Sequence, residues 1–322
     1  MRASAGSKLT RSLGRTVCTE RPTSTEVVND QPPNPPALLP DERTELVECN
    51  GLRLLCRQWG RTDAPPIVLL HGLRGFSGTW RALAAALSGR YRFIALDQRG
   101  RGESDWDPNG NYYTDAYLAD LEAVVDRFGL RRFVLIGHSM GGTTAYVYAA
   151  RHPQRLDALV IEDIAPGASV AGPGARRIVA EMSTMPESFE SWAEARNYWR
   201  THRSTLSEDA VEQRVSESLR ATPDGRIGWR YDARGIAQTR VNPDPRRIVD
   251  LWPVVLQLAV PTLIVRGERS DFCPTATVAE MCSRNPRIAS VTVPNASHYV
   301  HDDAPELFAQ RLAEFLSKHV QK

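Results

Sequence analysis

The sequence predicts an α/β fold: a mostly parallel, doubly wound sheet with a helical cap inserted into it. Three observations carry this. Short, unbroken apolar runs recur at Ile67 to Leu70, Phe93 to Leu96, Phe133 to Ile136 and Leu159 to Ile161, as expected of strands buried on both faces of a parallel sheet. Patterns of helical period stand between them, at Trp80 to Leu87, Ala116 to Phe128 and Thr143 to Ala150. The alternation stops after Ile164-Ala-Pro-Gly167 and resumes at Thr262 to Val265, so residues 168–250 interrupt the sheet.

Taken in order, residues 1–40 differ from the rest. Arg2, Lys8, Arg11, Arg15 and Arg21 are scattered among Ser and Thr, and Gln31-Pro-Pro-Asn-Pro-Pro36 forbids both helix and ladder pairing. They read as a disordered extension; a transit peptide, which shares the Arg and Ser richness, is the lesser reading. The core then spans 41–167 and 251–322, with the cap at 168–250 between its two parts. Glu45 to Cys49 and Arg53 to Gln58 flank Asn50-Gly51, the strongest short hairpin signal. The interrupting stretch holds Trp192, Tyr198, Trp199, Trp229 and Tyr231 among many Arg and Glu and shows no strand-like run. A last strand is expected near Ser290 to Val293. An amphipathic helix follows over Pro305 to Val320, with Leu307, Phe308, Leu312 and Phe315 at helical spacing.

Composition excludes several classes. The 322 residues carry 40 Lys+Arg against 38 Asp+Glu, a net charge of +2, so neither nucleic acid nor an acidic membrane is an expected partner. With 42% hydrophobic and 24% charged residues the chain reads as an ordinary globular protein with ample core. No apolar run approaches the roughly 18 residues of a membrane span, and Arg11 to Glu20 lacks a secretory apolar segment. Cys18, Cys49, Cys56, Cys273 and Cys282 are odd in number and include no Cys-x-x-Cys pair, which suggests neither a disulfide framework nor a zinc site. The expectation is a soluble cytoplasmic protein acting on a small molecule, without metal or cofactor. Its oligomeric state is left open.

The sharpest chemical signal is Phe133-Val-Leu-Ile-Gly137-His138-Ser139-Met140-Gly141-Gly142, an apolar strand running through Gly-x-Ser-x-Gly into a helix. This is a nucleophile elbow, which holds Ser139 at the carboxyl edge of the sheet beside a helix N-terminus. A hydroxyl is a weak nucleophile at neutral pH and needs a base. In this order of elements the base belongs on the loop after the last strand, where Val291-Thr-Val-Pro-Asn-Ala-Ser-His298 places His298. His301 is its near rival. His152 and His71 read as structural, and His138 flanks the serine without pointing back at it. The turn His71-Gly72-Leu73 follows the strand at Ile67 to Leu70, so the amide of Leu73, with that of Met140, is the candidate oxyanion hole. Asp97-Gln-Arg-Gly-Arg-Gly-Glu reads as a tight loop beside the nucleophile strand, and it lacks the Lys-Ser/Thr of a phosphate-binding loop. Trp192, Trp199, Trp229 and Tyr231 have two readings, as core of the cap or as wall of the substrate pocket.

In this order, His71-Gly72, Asp97-Gln-Arg-Gly-Arg-Gly-Glu-Ser104, Gly137-His-Ser-Met-Gly-Gly142, Leu263-Ile-Val-Arg-Gly267 and Ser297-His298-Tyr299 resemble the serine-nucleophile branch of the α/β-hydrolase superfamily over roughly residues 45–320. The resemblance implies the α/β-hydrolase fold and a Ser-His-acid triad. Substrate is less specified, because the superfamily spans esterases, lactonases, carbon–carbon bond hydrolases, amide hydrolases and cofactor-free dioxygenases. Many members carry the acid after the strand that ends here at Gly267, where Asp271 stands. A smaller group carries it one strand after the nucleophile, where Glu162-Asp163 stands, Asp163 lying 24 residues beyond Ser139. The stretch from Thr262 to Phe315 looks like bacterial (E)-2-(acetamidomethylene)succinate hydrolases, which belong to the smaller group, and the chain is also similar to meta-cleavage-type and esterase-like hydrolases. The ranking is Asp163, then Asp271, then Glu162. The expected activity is hydrolysis of a small ester or lactone, or of an amide or a carbon–carbon bond next to a ketone, through an acyl-enzyme. A cofactor-free dioxygenase of a heteroaromatic and a hydrolase-like ligand receptor are the alternatives.

Overall fold

The computed structural model describes residues 30–168 and 172–320. Among the described residues an eight-stranded sheet forms from β1 (Arg43–Cys49), β2 (Leu52–Trp59), β3 (Pro66–Leu70), β4 (Arg92–Leu96), β5 (Phe133–His138), β6 (Leu156–Glu162), β10 (Thr262–Gly267) and β11 (Ile288–Val293). Its order is β1-β2-β4-β3-β5-β6-β10-β11; β1, β2 and β4 pair antiparallel and every later pair is parallel. The hairpin turns at Asn50 and Gly51, both at positive φ (51° and 78°), as a tight two-residue loop requires.

Two cores follow from the alternation of side chains along each strand. Ile67 and Leu69 of β3 face one side with Trp59, Phe93 and Ile136; Val68 and Leu70 face the other with Ile94, Leu96 and Leu135. Helix α1 (Arg81–Leu87), through Leu83 and Leu87, and helix α11 (Pro305–His319), through Phe308, Leu312 and Leu316, cover the first face. Helices α2 (Thr114–Arg127), α3 (Met140–Arg151), α8 (Leu251–Leu256) and α9 (Thr275–Arg284) cover the second. A one-turn helix, α10 (Val300–Asp303), precedes α11. Among the described residues no helix is long and apolar enough to cross a membrane.

Between β6 and β10 the chain leaves the main sheet. It forms α4 (Pro173–Thr184), α5 (Trp192–His202), α6 (Glu208–Ser218) and α7 (Ala233–Val241). Ser191 and Ser207 accept hydrogen bonds as N-caps of α5 and α6, and Asp232 does so for α7. The expectation that this stretch holds no strands is corrected. Ser188–Phe189 (β7), Leu219–Ala221 (β8) and Ile227–Trp229 (β9) form a small antiparallel sheet of order β7-β9-β8. Strands of two or three residues are too short to leave an alternating pattern in sequence.

Two further expectations need adjusting. The loop after β4, Asp97 to Ser104, does not lie beside the nucleophile strand, because β3 stands between β4 and β5. Of the expected 1–40 extension, residues 1–29 lie outside the described residues. Residues 30–40 run as coil against the fold, with Leu39 packed on the first core and Ala37 O accepting from Arg81.

Candidate active site

Strands β5, β6, β10 and β11 are consecutive in the sheet and parallel from β5 on, so the loops at their carboxyl ends converge at one edge. Ser139 occupies the turn from β5 into α3 with φ 52° and ψ −115°, a conformation in which L-residues are strained. Two glycines make the turn possible. A Cβ at Gly137 would lie 2.4 Å from Gly141 O, and one at Gly141 would lie 2.4 Å from Leu70 O.

His298, after β11, reaches back to Ser139. Its Nε2 is 2.9 Å from Ser139 Oγ and its Nδ1 is 2.8 Å from Asp163 Oδ2. With the carboxylate on Nδ1, the tautomer that presents Nε2 as acceptor to the serine hydroxyl is the favoured one. Asp163 is fully buried and also sits at positive φ (57°). Its oxygens accept from Gly267 N–H (2.8 Å) and from the Ser270 hydroxyl (2.5 Å). Phe272 covers the His298 ring at 4.3 Å between centroids, and His138 Nε2 donates to His298 O (2.9 Å), fixing that loop from below.

The other acid candidates are engaged elsewhere. Asp271 binds Arg177 in a two-pronged pair (2.7 and 3.0 Å); burial would raise its pKa, but the guanidinium outweighs it and holds the carboxyl below its usual range. Glu162 accepts from the His301 backbone N–H (2.9 Å) and from its Nδ1 (2.7 Å). Burial opposes charge on His301, but Glu162 and Asp302 raise its pKa above the ordinary value, whereas burial and the neighbouring His298 and His301 push His138 well below it. His71 accepts from Gln98 N–H at Nε2 (3.0 Å), and His152 pairs with Glu122.

A cavity of about 490 Å³ opens over Ser139. Leu73, Met140, His298 and Tyr299 line it, with Ile178, Val179, Ile248 and Val249 supplying apolar wall. Arg101 Nε donates to Leu73 O (3.2 Å) and so braces the loop after β3. Of the four aromatics considered as pocket wall, none lines this cavity. Trp199, Trp229 and Tyr231 are buried and pack with Phe189 and Tyr198 at 5.0–6.0 Å between centroids, and Trp192 lies against the same cluster. They pack the inserted stretch together and join it to the core on the second face of the sheet. Tyr299, not singled out from sequence, stands beside His298. Burial opposes its ionisation, yet Arg74, Arg203 and His298 bring its pKa down to about 7, Arg203 lying 3.4 Å from the ring centroid.

Comparison with known proteins agrees with this architecture. The family model described as alpha/beta hydrolase fold matches residues 65–305. The sn-1-specific diacylglycerol lipase of Mus musculus is 30% identical over 80% of this chain and 83% of its own length. The 2-(acetamidomethylene)succinate hydrolase of Mesorhizobium japonicum is 28% identical over 84% and 94%. A crystal structure of E-2-(acetamidomethylene)succinate hydrolase superposes with a TM-score of 0.77 at 26% identity, covering 86% of this chain and 99% of that one. The sheet order, the elbow and a family match over three-quarters of the sequence lead to one conclusion: the chain is a hydrolase and belongs to the α/β-hydrolase fold family.

Proposed function

We propose that the protein hydrolyses a small carboxylic ester or lactone by way of an acyl-enzyme on Ser139. The observation that supports this most directly is His298 standing between two oxygens, 2.9 Å from Ser139 Oγ and 2.8 Å from Asp163 Oδ2. In this scheme His298 takes the hydroxyl proton as Oγ attacks the substrate carbonyl. Asp163 holds the imidazole in register and stabilises the imidazolium. The tetrahedral oxyanion is received by the amides of Leu73 and Met140, a role supported by both residues lining the cavity with Ser139. His298 then protonates the leaving group, and water repeats the sequence to free the acid. The scheme requires no metal or cofactor. Residues 168–250 act as a cap, a reading supported by Ile178, Val179, Arg240 and Val249 of this stretch lining the same cavity. Amides and carbon–carbon bonds next to a ketone are the substrates to try after esters and lactones.

The experiment is turnover of p-nitrophenyl esters by the parent and by Ser139→Ala, with circular dichroism to establish folding. The folded variant is expected to lose at least about 10³-fold in kcat. Parent-like turnover in it would overturn the serine mechanism.

A further inference from the structure

The cavity over Ser139 has an unusual charge. Arg74, Arg176, Arg214, Arg240 and Arg247 border it, and no Asp or Glu does among the described residues. Several of these cations are already compensated: Arg74 pairs with Glu181, Arg214 with Asp302 (2.5 Å), and Arg247 with Asp115 (2.6 Å). Arg240 differs. Among the described residues it hydrogen-bonds only Thr239, at the backbone carbonyl and the hydroxyl (3.2 Å each), and it makes no ion pair with a described carboxylate. Burial is the largest influence on Arg240 and lowers its pKa, as does the neighbouring cation Arg101, while Tyr117 and Tyr113 only partly oppose them.

Arg101 sharpens the imbalance. It is 1% exposed and donates to Leu73 O, Arg99 O and the Tyr117 hydroxyl, with Met140 Sδ 3.4 Å away. None of these partners is anionic. Two guanidinium groups thus sit in and behind one wall of the cavity with only neutral ligands. A desolvated cation without a counter-charge is unfavourable, and a bound anion relieves it. Arginine's planar fork matches a carboxylate bidentately, and the remaining wall, Ile178, Val179, Ile248 and Val249, suits a hydrocarbon chain.

We propose that the substrate carries a carboxylate of its own, on an apolar chain, and that Arg240 receives it while Ser139 attacks the ester carbonyl. This rests on the serine-hydrolase reading above and names the substrate class for that site. Arg240 is then the residue that sets specificity, and Arg101 reinforces the field from behind the wall.

The test compares mono-p-nitrophenyl adipate with p-nitrophenyl hexanoate. The two have the same six-carbon acyl chain and differ only in a terminal carboxylate for a methyl group. The parent is expected to favour the adipate half-ester at least tenfold in kcat/KM. Arg240→Gln should cut that preference by about 10- to 100-fold, mainly through KM, and Arg240→Lys should retain part of it. Calorimetric titration with free adipate, which needs no turnover, should show binding to the parent that weakens by the same factor in Arg240→Gln. A parent that shows no preference, or a variant that loses both esters equally and binds adipate as before, overturns the proposal. Labelling of Ser139 by a fluorophosphonate separates the two readings. A labelled serine with no carboxylate preference refutes only the anion site, whereas an unlabelled, inactive parent overturns the hydrolase mechanism and the proposal with it.

Discussion

His298 has one imidazole and two carboxylates within reach of its field, but only Asp163 touches it. Asp271 is turned away to Arg177, so its charge is neutralised by a partner of its own. In the proposed mechanism the group on Nδ1 fixes the tautomer, and its loss as a charge is expensive. Asp163→Asn is therefore expected to lower kcat by about 10⁴-fold and Asp271→Asn by less than tenfold, measured on p-nitrophenyl acetate with folding checked by circular dichroism. The reverse pattern would give the acid role to Asp271. Ser270 offers a finer probe, because its hydroxyl and Gly267 N–H satisfy the Asp163 oxygens. Ser270→Ala should lower kcat by roughly tenfold, as expected when a supporting bond to a buried carboxylate is removed. Ser139 and His298 were legible in sequence because an elbow has fixed glycine spacing and a fixed place after an apolar strand. The pocket arginines were not, since Arg240 is one among 40 basic residues and nothing local to it records that it faces a cavity. Trp199 and Trp229 kept two readings in sequence for a related reason: a large aromatic ring has the same sequence signature in a small core as in a binding wall, and here they pack as core.

Helix α6 meets the core through Glu217, whose carboxylate lies against Gly78 in the turn before α1. Neither carboxyl oxygen accepts a well-formed hydrogen bond, Gln213 standing only nearby, and Arg81, the nearest cation, is 3.7 Å away. Burial raises its pKa from 4.5 to about 7, with Arg57 and Arg81 only partly opposing. A carboxyl whose pKa is higher folded than unfolded contributes stability that is full below about pH 4.5 and lost as pH rises through about 7. Glu217→Gln should accordingly be more stable than the parent by about 2 kcal/mol at pH 8 and little different at pH 5. Urea titrations at the two pH values test this, and equal effects at both would refute it. Among elements, the central strands and α2, α3 and α11 were readable because burial on both faces or on one stripe imposes long periodic patterns. β7, β8, β9 and the single turn at α10 were not, because four residues or fewer cannot display a period.

Across the whole molecule, Asp302 fastens the inserted stretch to the C-terminal segment by receiving both Arg203 (3.0 Å) and Arg214 (2.5 Å). Removing its charge leaves two nearly buried guanidinium groups facing each other, so Asp302→Asn is expected to cost about 3 kcal/mol, read as a lower urea midpoint. An unchanged midpoint would show that the clamp contributes nothing. The overall architecture was readable from alternation alone, whereas the packing of the insertion on the core was not, because it depends on pairs such as these that lie 88 to 99 residues apart. The elbow has its own bearing on the molecule as a whole. Ser139 holds φ 52° and ψ −115°, a geometry that glycine adopts freely and serine does not. Ser139→Gly should then melt higher than the parent. Under the proposed serine mechanism, a laboratory screen that rewards heat resistance alone would thus accumulate inactive descendants at this codon, and only a screen that also demands turnover would keep the serine.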